Sequence, residues 1–225
     1  MDKLKKYSCI IFIRRNCQFC REFVKIVKKK FTIKKIIYDD TRKINFMLFK
    51  KIDFIFCFRS KIILKEKILK KIKYFALNFH PGTPKYRGLG CTNYALYNDE
   101  KTYGSTAHLI NKRIDNGKIL MVNFFKIKKK DNLEKVLNNT YRSMLLLSRK
   151  VLKFIQKNPS ISILNLKKNI KWSSKIKKRK ELENFYRIKK NITKRELDKK
   201  IRATVIGKYR PYIELFGRKF ILKIE

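Results

Sequence analysis

Residues 78–120 read NFHPGTPKYRGLGCTNYALYNDEKTYGSTAHLINKRIDNGKIL. This stretch holds both histidines of the chain, His80 and His108, and five of its seven glycines. A chain that gathers its rare, geometry-setting and titratable residues in one window has its chemistry there. Asn78 and His80 stand two apart at the end of an apolar run, YFALNF, so as strand residues they share a face. Pro81, Gly82, Pro84, Gly88 and Gly90 follow and shape a loop whose backbone can approach a ligand closely. Asp115-Asn116-Gly117 is turn chemistry between two strand-like segments.

Upstream of this window, strands alternate with helices. Ser8–Ile13 predicts a buried strand, 21–30 a helix with Phe23, Val24, Ile26 and Val27 on one face, and Ile33–Tyr38 a second strand. Asp53–Phe58 is an apolar run of the kind found in parallel sheets. Residues 62–72 predict a loop leading into a helix, and Tyr74–Phe79 a fourth strand. Cys91–Asn98 reads as a short helix, 104–113 and 118–127 as two strands, and 132–156 as a long helix ended by Asn158-Pro159. The rhythm is that of an α/β domain with a mostly parallel sheet flanked by helices. In such sheets ligands sit outside the carboxyl ends of the strands, where Asn78 and His80 fall. RRNCQFC, after the first strand, has no glycine, which argues against a dinucleotide-binding loop. The chain divides at this level into residues 1–156 and a basic segment, 157–225. That segment has a helix with capping-box spacing at Thr193 and Glu196 and a β-hairpin around Phe216-Gly217-Arg218.

Sixty Lys and Arg against seventeen Asp and Glu give a net charge of +43. The lysines are spread over the whole chain, and Lys, Ile, Asn and Phe are inflated together. Compositional drift toward AT-rich codons therefore accounts for most of the charge, and salt-sensitive association with polyanions is expected. The apolar run at the N-terminus is too short for a signal-peptide core or a membrane span, and no membrane is expected among the partners. Five unpatterned cysteines fit a reducing cytoplasm. Cys17-x-x-Cys20 follows a strand and opens a helix, as in thioredoxin-like redox sites. No proline precedes a nearby strand to complete such a site, and no second cysteine pair completes a zinc site, so two ordinary buried thiols are expected and no metal. Asp115 alone reads as a turn residue, and His108 as a structural histidine on a strand.

The ordered series Asn78-x-His80-Pro81-Gly82, Pro84-Lys85-Tyr86-Arg87-Gly88, Thr92-Asn93-Tyr94-Ala95-Leu96, Tyr103-Gly104-Ser105-Thr106-Ala107-His108 and Ile114-Asp115-x-Gly117-x-Ile119 resembles the 10-formyltetrahydrofolate-dependent formyltransferases. That family includes methionyl-tRNA formyltransferase and the nucleotide-sugar N-formyltransferases. The resemblance implies a Rossmann-like formyltransferase fold with a catalytic trio of Asn78, His80 and Asp115. It implies a folate ring held against the backbone of Ile62, Ile63 and Leu64 and of Lys112, Arg113 and Ile114. It implies a substrate loop comprising Gly82, Thr83, Pro84, Tyr86, Arg87 and Gly88. The first fifty residues match only in their βαβ rhythm.

Two departures bear on the substrate. The tRNA-modifying branch has Ser-Leu-Leu-Pro where this chain has Gly82-Thr83-Pro84, and it carries a C-terminal β-barrel that residues 157–225 do not resemble. Trp172, Ile201-Arg202-Ala203 and Pro211-Tyr212-Ile213 through Phe220 are similar to the C-terminal segment of the sugar-modifying branch. The expected activity is transfer of a formyl group from 10-formyltetrahydrofolate to the amine of a nucleotide-linked amino sugar. Methionyl-tRNA is the alternative acceptor, and a homodimer is an admitted assembly. A basic nucleic-acid-binding protein on a decayed formyltransferase fold is the alternative from another class.

Overall fold

The computed structural model describes residues 6–41, 43–160 and 170–223, with the side chain of Phe46 excepted. Strands β1 (Ser8–Ile13), β2 (Thr32–Tyr38), β3 (Phe54–Phe58), β4 (Phe75–His80), β6 (Thr102–Leu109) and β7 (Ile119–Lys126) form one sheet in the order β2-β1-β3-β4-β6-β7. The first four are parallel. The last two are antiparallel to their neighbours. Helices α1 (Gln18–Lys28) and α4 (Leu133–Lys157) cover one face. A 3-10 turn at Phe46–Phe49 and the short helix α2 (Glu66–Leu69) cover the other.

β1 and β3 are buried on both faces, which is why their sequences are unbroken apolar runs rather than alternations. Cys9, Ile11, Ile13, Phe54, Phe56 and Phe58 face α1 and α4, while Ile10, Phe12, Ile55 and Cys57 face the opposite side. Burial of each such Phe contributes roughly 2–3 kcal/mol. α4 buries Leu133, Val136, Met144, Leu147, Val151 and Ile155 at helical spacing and is capped by Asn132, whose side chain accepts from the Lys135 N–H.

Three expectations shift in detail. The loop leading into a helix expected over 62–72 forms, with the helix limited to Glu66–Leu69, one turn being enough to carry the chain from the end of β3 to the start of β4. The strand expected over 104–113 ends at Leu109. There the chain leaves the sheet, and the Asn111 side chain accepts from the Arg113 N–H in an Asx turn. The stretch after Ser173 contains, besides the expected helix α6 (Lys194–Thr204) and hairpin β10 (Tyr212–Leu215) and β11 (Arg218–Ile221), a further helix α5 (Arg179–Tyr186). Two short strands also form there, β8 (Ile176–Lys177) and β9 (Arg187–Ile188), and β8 pairs with β5 (Arg87–Gly88). Lys157 thus marks the end of α4, and the described residues from Trp172 onward pack back onto the first part. Asn93, on α3 (Cys91–Tyr97), donates to the Ala203 carbonyl on α6 at 2.7 Å.

Candidate active site

The site is assembled at the carboxyl end of β4. Antiparallel pairing sets His108 of β6 directly opposite Asn78, and Thr106 opposite His80. Both histidines and the Asp115 carboxylate are buried. The loop after β6 brings Asp115 back over the strand. One of its oxygens lies 3.4 Å from His80 Nδ1 and the other 3.5 Å from His108 Nε2. Asp115 sits in the left-handed backbone region, φ 43°, a conformation Asp tolerates better than most residues. Arg87 holds it there, donating from Nε to the Asp115 carbonyl at 2.7 Å and from Nη2 to that of Ile114 at 3.0 Å. The Gly88 N–H donates to the carboxylate at 3.0 Å.

The hydrogen bonds decide the tautomers. His80 Nε2 lies 2.9 Å from the Tyr86 carbonyl, which only accepts, so the proton of neutral His80 is on Nε2 and the lone pair on Nδ1, facing Asp115. His108 Nδ1 lies 2.7 Å from the Leu109 carbonyl, which leaves Nε2 to accept from Asn78 Nδ2 at 3.1 Å. Burial pushes the His80 imidazole below its ordinary value, more than the Asp115 charge raises it. Burial also works against an ionised Asp115, but the neighbouring imidazoles and the Gly88 N–H more than offset it and hold the carboxyl well below the usual carboxylate range. The resting state is neutral His80 beside an Asp115 carboxylate: a base whose protonated form has its counter-ion in place.

Gly82 is required by proximity. A Cβ there would lie 2.7 Å from His80 Nε2. Gly88, at φ 84°, lies where a Cβ would stand 2.2 Å from the Lys177 carbonyl, so β5 and β8 close on each other only with glycine.

A cavity of about 740 Å³ opens above the trio, within the range of small-molecule sites. Asn78, His80, Asp115 and His108 line it, as do all six residues expected to hold a folate: Ile62, Ile63, Leu64, Lys112, Arg113 and Ile114. Their apolar side chains, joined by Ile110 and flanked by Lys61, Lys112 and Arg113, suit a flat heterocycle carrying an anionic tail. Of the expected substrate loop, Gly88 lines the cavity, while Gly82, Thr83, Pro84, Tyr86 and Arg87 do not. Thr83 and Tyr86 are buried behind it, and Arg87 spends its fork on backbone carbonyls, including that of Ser173 at 2.8 Å. These five residues build the site's frame, and on that side the cavity is lined by Gly88, Leu89 and residues 176–179.

Sequence reasoning missed Arg14, Arg59, Tyr141 and the 176–179 stretch in the cavity wall. Arg14 and Arg59 each directly follow a parallel strand, a positional signal that could have found them. The part played by Trp172 was also hidden. Its ring stands edge-on to His108 at 4.9 Å and to His80 at 5.6 Å, and its Nε1–H donates to the Gly117 carbonyl at 2.7 Å. It shields the imidazole pair, a role no local pattern predicts. Among the described residues no helix is long and apolar enough to cross a membrane.

A family model described as formyl transferase matches residues 39–145. The chain is 43% identical over 108 residues to the bifunctional polymyxin resistance protein ArnA of Wigglesworthia glossinidia brevipalpis, 47% of this chain and 16% of that protein. It is 34% identical over 108 residues to methionyl-tRNA formyltransferase of Clostridium tetani, 48% of this chain and 33% of that one. The matched stretch thus spans a third or less of these curated relatives. A 4-N formyltransferase from Francisella tularensis superposes with a TM-score of 0.78 at 21% identity, covering 96% of this chain and 97% of that one. The N-formyltransferase of Helicobacter canadensis, solved with folinic acid and dTDP-3-aminofucose, gives a TM-score of 0.66 at 18% identity over 96% and 86% of the two chains. At these identities the likeness establishes the fold.

Proposed function

We propose that this chain, whose residues 39–145 match a formyl transferase family model, transfers a formyl group from 10-formyltetrahydrofolate to the amine of a nucleotide-linked amino sugar. The observation that carries the reading is the convergence of Asn78, His80 and Asp115 on one cavity, with His80 Nδ1 and Asp115 3.4 Å apart. The folate, when bound, supplies the formyl carbon and a departing nitrogen that accepts a proton. His80 takes the proton of the attacking amine at Nδ1, the nitrogen the Tyr86 carbonyl leaves free, directly or through a water. Asp115 stabilises the imidazolium so formed and leaves it able to deliver the proton to the departing nitrogen. Asn78, oriented by its bond to His108 Nε2, donates its other N–H to the oxyanion of the tetrahedral intermediate. Lys177, Lys178 and Arg179 on the cavity rim suit a diphosphate.

The sugar acceptor draws support from the likeness along nearly the whole chain to structures such as the enzyme solved with dTDP-3-aminofucose. The test is incubation with the donor and a panel of dTDP- and UDP-linked amino sugars, read by mass spectrometry. The proposal expects a gain of one formyl group on at least one of them, and no gain on any sugar removes it. Methionyl-tRNA is the second reading, favoured by the Clostridium tetani match and the net charge of +43. Formylation of charged initiator tRNA in the same assay would decide for it.

A further inference from the structure

The Cys17-x-x-Cys20 pair takes no part in formyl transfer, yet its surroundings are those of a reactive dithiol. Cys17 is the N-cap of α1, and its sulfur accepts the Cys20 N–H at 3.4 Å. Arg59, which directly follows β3, donates from Nη1 to the same sulfur at 3.0 Å. Its guanidinium lies 3.6 Å from the centre of the Tyr141 ring, which fixes its direction, and both residues belong to the cavity wall. Cys20 is placed differently. Its sulfur lies 3.8 Å from the Phe58 carbonyl, and it is 1% exposed where Cys17 is 8% exposed.

One sulfur therefore sits among donors and the other beside an acceptor, so the two differ in the proton they keep. Hydrogen bonding from Cys20, and the Arg59 charge behind it, draw the Cys17 thiol down to about 5 against the cost of burial. Bonding to Cys17 and burial push the Cys20 thiol up. Of the other three cysteines, Cys91 lies 3.7 Å from His80 Nε2 but turns its S–H to the Tyr86 and Gly88 carbonyls, and no guanidinium contacts any of the three sulfurs among the described residues. Burial pushes the Cys9 thiol up to about 12 and raises those of Cys57 and Cys91 further. Residues three apart on the first turn of a helix lie within the reach of a disulfide, and the Cys17 sulfur is already folded back toward Cys20.

We propose that Cys17 and Cys20 form a thiol–disulfide exchange site behind the Arg59 wall of the cavity, with Cys17 attacking, Cys20 resolving and Arg59 holding the attacking thiolate. The oxidant is a low-molecular-weight disulfide. The Cys17 thiolate attacks one of its sulfurs, the small S–S bond breaks, and one small thiolate leaves. Cys20 then gives up its proton and attacks the Cys17 sulfur of the mixed disulfide, and the second small thiolate departs. Two electrons pass to the small disulfide, which ends as two thiols. The inference stands on contacts outside the trio and does not depend on the proposed acceptor.

The test needs no substrate of the enzyme. The intact protein is titrated with oxidised glutathione, acid-quenched and mapped by peptide mass. The expected product is a Cys17–Cys20 disulfide, with Cys9, Cys57 and Cys91 still reduced. In Cys20→Ser the reaction should stop at one glutathione on Cys17, and Arg59→Gln should slow that step at least tenfold at pH 6. A measurement on the unaltered chain guards against a misfolded variant: at pH 6, iodoacetamide should label Cys17 at least tenfold faster than Cys9, Cys57 or Cys91. Glutathione on one of those three instead, no adduct at all, or equal labelling of all five thiols would overturn the proposal.

Discussion

Asp115→Asn separates the electrostatic part of the site from its architecture. The substitution leaves a side chain of the same shape, whose oxygen can still accept the Gly88 N–H, and it leaves the Asp115 carbonyl to Arg87. What is lost is the negative charge 3.4 Å from His80 Nδ1. At an effective dielectric of about 20 that charge stabilises an imidazolium by about 5 kcal/mol. At 1.36 kcal/mol per factor of ten the ceiling on the rate effect is between three and four powers of ten. The amide dipole of Asn recovers part of it, so kcat should fall about a hundred- to thousand-fold. The apolar folate wall is untouched, so folate affinity, measured by fluorescence quenching, should stay within about twofold. Single-turnover formyl transfer separates the chemical step from product release. A kcat within tenfold of the unaltered protein, with folate binding intact, would refute the assignment of Asp115 as the counter-ion of His80.

Four further outcomes follow from the geometry. Because burial lowers His80 below its ordinary value and the neutral imidazole is the base, the acid limb of kcat/KM should have its midpoint below 6.5, and Asp115→Asn should move it lower still; a midpoint above 7 in the unaltered chain contradicts this. The same depression means that the unfolded chain binds this proton first, so His80 contributes a loss of stability as pH falls from 6.5 to its folded value, seen in urea midpoints against His80→Ala. Gly82→Ala places a methyl group 2.7 Å from His80 Nε2 and should cut kcat more than tenfold, whereas unchanged kcat would mean that the imidazole does not need its position. Arg87→Ala strands three carbonyls, those of Ile114, Asp115 and Ser173, and should cost about 3 kcal/mol in urea unfolding; Arg87→Lys should not restore it, because an ammonium cannot span all three, and a loss under 1 kcal/mol would dismiss the clamp.

What the sequence disclosed was whatever is local. β1 and β3 announced themselves as apolar runs because both of their faces are covered. Asn78 and His80 announced themselves because a period of two and a following Pro/Gly loop lie within six residues. Asp115 needed the resemblance, since a turn aspartate and a catalytic one look alike until the loop is closed over β4. The antiparallel set of β6 against β4 left no trace in composition, yet it puts His108 opposite Asn78. Trp172 reaches Gly117 and His108 across more than fifty residues, and the β5–β8 pair joins residues more than eighty apart, where pattern has no reach. The place of Arg59 after a parallel strand was legible, but its contact with Cys17 was not: as a spacing, Cys-x-x-Cys favoured two ordinary buried thiols, and only the fold brings a guanidinium to one of them.

The proposed transfer of a formyl group by the trio to an amino sugar is tested by a donor labelled in the formyl carbon, offered simultaneously to a dTDP-linked amino sugar and to charged initiator tRNA. Label is expected in the nucleotide-sugar fraction with the unaltered protein and none there with His80→Ala. Label on the tRNA alone, or label on the sugar that survives loss of His80, would contradict it.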